Sequence, residues 1–135
     1  MSMGYGAIAV LETEDEQTAV YRYGGFNLNI KKCRNPDRIL DGYIWIERSA
    51  LQQPEIHDKL KHLPNGKKER IIKRIPILQP VEEPLHLGQF KIENCSFCWK
   101  LSAEQYDLIA IHLIENISAE YQMTGSLPKR THFIC

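Results

Sequence analysis

Apolar residues in this chain come in short runs, and the spacing within each run predicts its element. Tyr5-Gly6-Ala7-Ile8-Ala9-Val10-Leu11 is apolar and opens with glycines, as a buried strand would. The acidic stretch Glu12-Thr13-Glu14-Asp15-Glu16 follows as a hairpin tip, and Thr18 to Tyr23 returns as a second strand that Gly24-Gly25 stops. Asn35-Pro36-Asp37 marks a turn, and Gly42 to Glu47, rich in aromatic and β-branched residues, is a third strand. Ser49 is one place to cap a short helix, but Pro54 is the better start, because proline is favoured in a first helical turn. From there Ile56, Leu60 and Leu63 recur at helical spacing until Pro64-Asn65-Gly66 ends the element.

Arg70 to Ile77 predicts a fourth strand, and Pro76, which cannot donate to a ladder, puts it at an edge. Pro80 and Pro84 bracket a loop with room for one helical turn around Leu85 to Leu87. Phe90-Lys91-Ile92 begins a fifth strand, and Phe97 to Leu101 is a sixth or a continuation of the fifth past Asn94. Ser102-Ala103-Glu104-Gln105 matches a capping box. Behind it Tyr106, Ile109, Ala110, Leu113, Ile114, Ile117 and Tyr121 form an apolar stripe at i, i+3, i+4 spacing, closed by Thr124-Gly125. That is a helix of roughly twenty residues, long enough to lie across a sheet. Thr131 to Ile134 adds a last short strand. The fold class is therefore α+β: one compact domain over 1–135, with a mainly antiparallel sheet of about five or six strands, one long C-terminal helix and one short helix packed on it.

Composition fits a globular domain, at 43% hydrophobic and 25% charged. No apolar run approaches the ~20 residues that cross a bilayer, and Met1 to Gly6 lacks a secretory start, so the expectation is a cytoplasmic protein without membrane contact. Net charge is zero but unevenly made. Residues 1–30 hold one basic and four acidic side chains, residues 51–75 seven and three, and residues 76–123 two and seven. Such segregation suits charge-steered contact with a partner better than the net basic balance of general nucleic-acid binding.

Candidate chemistry centres on Glu93-Asn94-Cys95-Ser96-Phe97-Cys98-Trp99-Lys100. Structural zinc wants four ligands, commonly two such cysteine pairs. Only one is present, so no metal or cofactor is expected, although Cys33 or Cys135 could still join Cys95 and Cys98 in space. A redox thiol is usually acidified, often at a helix N-terminus, whereas this pair sits in strand-like sequence and reads as reduced thiols. His57, His62, His86, His112 and His132 make no HExxH pair, and no GxSxG or phosphate-cradling loop occurs. No catalytic residue is assigned, and the chain is not expected to be an enzyme.

Two charged sets remain. Lys67, Lys68, Arg70, Lys73 and Arg74 could track phosphates, or keep an edge strand soluble. No interleaved aromatics accompany them. Glu12, Glu14, Asp15, Glu16, Glu104, Asp107 and Glu115 are solvated faces, or the surface that meets a basic protein partner such as a nuclease. A small, neutral α+β domain with segregated charge and no catalytic motif resembles, in size and architecture, the immunity proteins of bacterial contact-dependent toxin systems. That resemblance implies a protein partner, a cognate toxin whose active site is covered. The alternative is a nucleic-acid-associated module using residues 67–74.

Overall fold

The computed structural model describes residues 3–135; Met1 and Ser2, where the segment read for a leader begins, lie outside the described residues. The fold is α+β. Strand β1 (Tyr5–Glu14) forms a hairpin with β2 (Thr18–Asn27), β2 pairs with β3 (Gly42–Glu47), and β3 with β6 (Phe90–Glu93). Strand β7 (Arg130–Ile134) closes the other edge against β1, giving a five-stranded antiparallel sheet in the order β6-β3-β2-β1-β7. Strands β4 (Glu55–His62) and β5 (Lys68–Ile75) pair only with each other. The helices are α1 (Glu82–His86) and α2 (Leu108–Thr124).

Strand alternation sorts the sheet into two faces. One carries Ala7, Ala9, Ala19, Tyr21, Tyr23, Ile44, Ile46 and Phe90, all fully buried. The alanines of β1 leave room for α2, which delivers Ile109, Ala110, Leu113, Ile114 and Ile117 onto this face. The sequence stripe is thus the core stripe. Burying each of these large side chains contributes about 1.5–3 kcal/mol. On the opposite face Ile8, Val10, Val20, Tyr43 and Trp45 stay half-buried. No helix among the described residues is long and apolar enough to cross a membrane.

Six expected boundaries are corrected. Strand β1 runs to Glu14, through acids read as part of the hairpin tip, and β5 is Lys68–Ile75, so Pro76 follows the strand rather than lying in it. Gly24-Gly25 does not stop β2; the strand runs through both to Asn27. A Cβ on Gly24 would stand 2.1 Å from the Ile39 carbonyl oxygen, so the glycine lets the 35–41 loop cross the strand. Asn35 holds that loop: fully buried, it donates to the Gly25 and Ile39 carbonyls and accepts from the Ile39 amide.

The helix expected from Pro54 is instead β4. The spacing of Ile56 and Leu60 is four, and four residues return to the same face in a strand as well as in a helix. Only Leu63 breaks the tie, and it is the last residue before the turn. Pro64-Asn65-Gly66 forms a three-residue hairpin loop, with the Gly66 amide bonded to the Leu63 carbonyl at 3.0 Å and Gly66 at φ 78°. The short helix lies at α1, next to the place where the sequence allowed one turn. Phe97 to Leu101 is not a strand; beyond a turn at 96–97, Leu101 makes one isolated bridge to Asp107.

The long helix also begins later than its sequence predicts. It starts at Leu108 with Asp107 as its N-cap, whose carboxylate accepts from the Ile109 amide at 3.0 Å. Ser102 instead closes the preceding loop by accepting from the Tyr106 amide, with Gln105 at φ 70°. At the far end Gly125 takes φ 80° and donates to the Tyr121 carbonyl, as the sequence predicts.

Candidate functional site

The thiols come first, because their spacing is the most suggestive in the sequence. Cys95 is buried and its Sγ donates to Asp107 Oδ2 at 3.5 Å; the same oxygen accepts from the Tyr23 hydroxyl at 2.8 Å. Cys98 is half-buried, with its Sγ 3.8 Å from the Lys100 carbonyl oxygen. Burial, then the Asp107 charge, pushes the Cys95 thiol up to about 12 and the Cys98 thiol up to about 11. Both are therefore protonated and poorly nucleophilic near neutral pH. Cys33 Sγ approaches the Cys98 carbonyl at 4.0 Å, while Cys135 follows β7 and pairs by its backbone with Tyr5. Among the described residues, no three His, Cys, Asp or Glu side chains gather around a point that could hold a metal ion.

A pH dependence follows from Cys95. Its folded pKa lies above its unfolded one, so the stability it contributes is complete below about pH 9 and falls as pH rises toward 12. Urea midpoints measured from pH 8 to pH 11 should drop, and less steeply in Cys95→Ala. In native protein at pH 8 an aromatic disulfide reagent should react with exposed Cys135 well before Cys95.

The acidic set divides. Asp107 is fully buried, so it is not the exposed partner contact expected from its place in an acidic segment. Glu12 lies 4.0 Å from Arg22 and Glu14 lies 3.1 Å from Arg48. Asp15 accepts from the Thr18 and Gln17 amides, both at 2.7 Å, which holds its carboxyl below the usual range. Glu14, Asp15 and Glu16 line a groove that also contains Arg48 and Lys129, so its charge is answered from within the protein.

Glu104 and Glu115 meet elsewhere. They help to line a cleft of about 290 Å³ beside the first turns of α2, together with Glu82 and His86 of α1. The cleft is also lined by Val81, Leu85, Tyr106, Leu108 and Ile111, and by Leu78, which is 77% exposed. Leu108, Ile111 and Glu115 share one face of α2, beside the stripe that enters the core. Gln79 anchors the opposite wall: buried, it accepts from the Gln52 amide and the Ser118 hydroxyl and donates to the Ala50 and Pro80 carbonyls. The cleft is therefore mostly apolar, with three carboxylates, Glu82, Glu104 and Glu115, in its lining.

Glu82 and the apolar lining were missed by sequence reasoning. A signal existed: Leu108 and Ile111 widen the apolar arc of α2 beyond what one buried stripe needs. Nothing in the spacing, however, brings residues 78–86 to it.

The basic run lies on the β4–β5 arm, where β5 is exposed throughout. Cross-strand pairs share a face, so Lys68, Arg70 and Arg74 flank Ile72 on one side, Lys73 lies on the other, and Lys67 is in the turn. Arg70 is bound by Asp58, and Arg74 Nη1 donates weakly to the Gln122 carbonyl at 3.4 Å. The run forms no single cationic stripe, and residues 55–75 include no Phe, Tyr or Trp. No protein-family model, curated protein or solved structure matches the chain.

Proposed function

We propose that this chain is a protein-binding module that receives a segment of its partner, an apolar side chain flanked by lysine or arginine, in the cleft beside α2. The observation that carries this reading is the convergence of Glu82, Glu104 and Glu115 around an apolar cleft. Its volume of about 290 Å³ sits at the small end of ligand pockets, which run to roughly 1,000 Å³. It suits one anchoring side chain better than a whole metabolite, and buried anchors of that kind dominate interface energies. The carboxylates steer a basic partner and fix its orientation.

The resemblance to immunity proteins gives the reading its biological form. In the cytoplasm the module would lie over the basic active site of a cognate toxin and act by occlusion rather than turnover. The test is growth of cells co-expressing the chain with the toxin-like product of a neighbouring gene. Wild type should protect, the triple reversal E82K/E104K/E115K should not, and E12K/E14K, which alters only internally paired acids, should protect as wild type does. Full toxicity in the presence of wild type overturns the proposal.

A further inference from the structure

The β4–β5 arm is a two-stranded ribbon outside the main sheet, and isolated ribbons of that kind are marginal in water. Its faces carry Ile56, Leu60 and Ile72 at 54%, 64% and 58% exposure. By register these three share one side with Asp58 and Arg70. Strand β5 meets α2 at its root, through Arg74 and the bonds of Ile77 to Gln122. Among the described residues, β4 pairs with nothing on its outer side.

Which backbone groups of β4 face outward follows from the turn. The Leu63 amide bonds to the Lys67 carbonyl at 2.8 Å, so bonded pairs recur every second residue: Lys61, Lys59, His57 and Glu55 turn toward β5. Ile56, Asp58, Leu60 and His62 therefore turn their N–H and C=O groups outward. A second antiparallel β4 can bond to this edge only in registers that set these even-numbered residues against one another.

Centring the pair on Asp58 sets Ile56 against Leu60 and Glu55 against Lys61, each contact occurring twice by symmetry. Asp58 then meets its own copy, and each is already bound by Arg70 of its own arm. His57 faces Lys59. Sliding by two residues in one direction sets Lys59 against Lys59 and Asp58 against Leu60. Sliding in the other sets Ile56 against Asp58. Of these three registers, the Asp58-centred one alone matches apolar to apolar and acid to base.

From this self-complementarity we infer that the outer edge of β4 is a homodimer interface, joining two arms into a four-stranded antiparallel sheet about a two-fold axis through Asp58. Closed isologous pairing is the commonest route to a dimer, and it removes an edge that would otherwise be open to aggregation. The occupant is a second copy because the outward edge is complementary to itself: within one arm Glu55 contacts His57 and Lys61 stands opposite Glu69, and the two-fold axis adds an opposite charge to each, Glu55 against Lys61.

Sedimentation velocity from 1 to 300 µM tests the inference. Wild type should dimerise within this range. E55K and K61E should each weaken dimerisation about tenfold, since each loses two opposed pairs and creates two like-charged ones. The double variant E55K/K61E should regain wild-type affinity. Far-UV circular dichroism confirms that each variant is folded. A wild type that stays monomeric at 300 µM overturns the inference, as does a double variant no better than its parents.

Discussion

Asp107→Ala is expected to destabilise the protein by about 3 kcal/mol, read as a lower urea midpoint with an unchanged slope. Two losses combine. The Ile109 amide loses its cap, worth about 1 kcal/mol. The Tyr23 hydroxyl, deep in the core, loses its acceptor, and a buried donor left unmade costs about 1–3 kcal/mol. Tyr23 also accepts from the Cys95 amide at 3.0 Å, and the Asp107 amide donates to Asn94 at 3.0 Å. These four residues join β2, the 94–98 turn and the start of α2. Asp107→Asn keeps an acceptor and an N-cap and should cost about 1 kcal/mol. An alanine variant as stable as wild type would show that the carboxylate is not what ties helix to sheet.

Gln122→Leu is the second large effect, about 2 kcal/mol together with a local loosening. Gln122 is 1% exposed and grips the Ile77 main chain twice, accepting from its amide at 2.7 Å and donating to its carbonyl at 2.8 Å. It also donates to Ser118 at 3.0 Å, and Ser118 donates to Gln79, so one buried chain of polar groups runs from the arm's root to the cleft wall. Leucine fills similar space but makes none of these bonds. Hydrogen exchange should speed up at Ile77 and along β5 by tenfold or more, while β1 and β2 keep their protection. Uniform acceleration across the sheet would instead mean global destabilisation.

Both residues show where sequence reading stops. The apolar stripe of α2, its glycine stop and the strands β3, β6 and β7 were legible because period and punctuation agree there, as was the apolar part of β1, which runs on to Glu14 through acids read as a hairpin tip. Asp107 and Gln122 looked like ordinary polar helix residues, since their partners Tyr23 and Ile77 lie 84 and 45 positions away. The β4 segment misled for a different reason: Ile56 and Leu60 fit both periods, and pairing with β5 decides between them. The cleft was half legible. Glu104 and Glu115 stand out as acids, yet what sets them apart from Glu12 and Glu14 is a cleft lining that, among the described residues, holds no arginine or lysine, together with an apolar wall from residues 78–85.

The most direct test is to select short peptides on immobilised wild type and then map the best binder by amide chemical shifts on isotopically labelled protein. The best binders should place lysine or arginine beside a large apolar residue, with shift changes clustered at Leu85, Tyr106, Leu108, Ile111 and Glu115. Affinity should fall at least tenfold in E82K/E104K/E115K, about 1.4 kcal/mol. Acidic peptides, or shifts gathered on the arm or the open sheet face while the cleft stays silent, would contradict the proposed function.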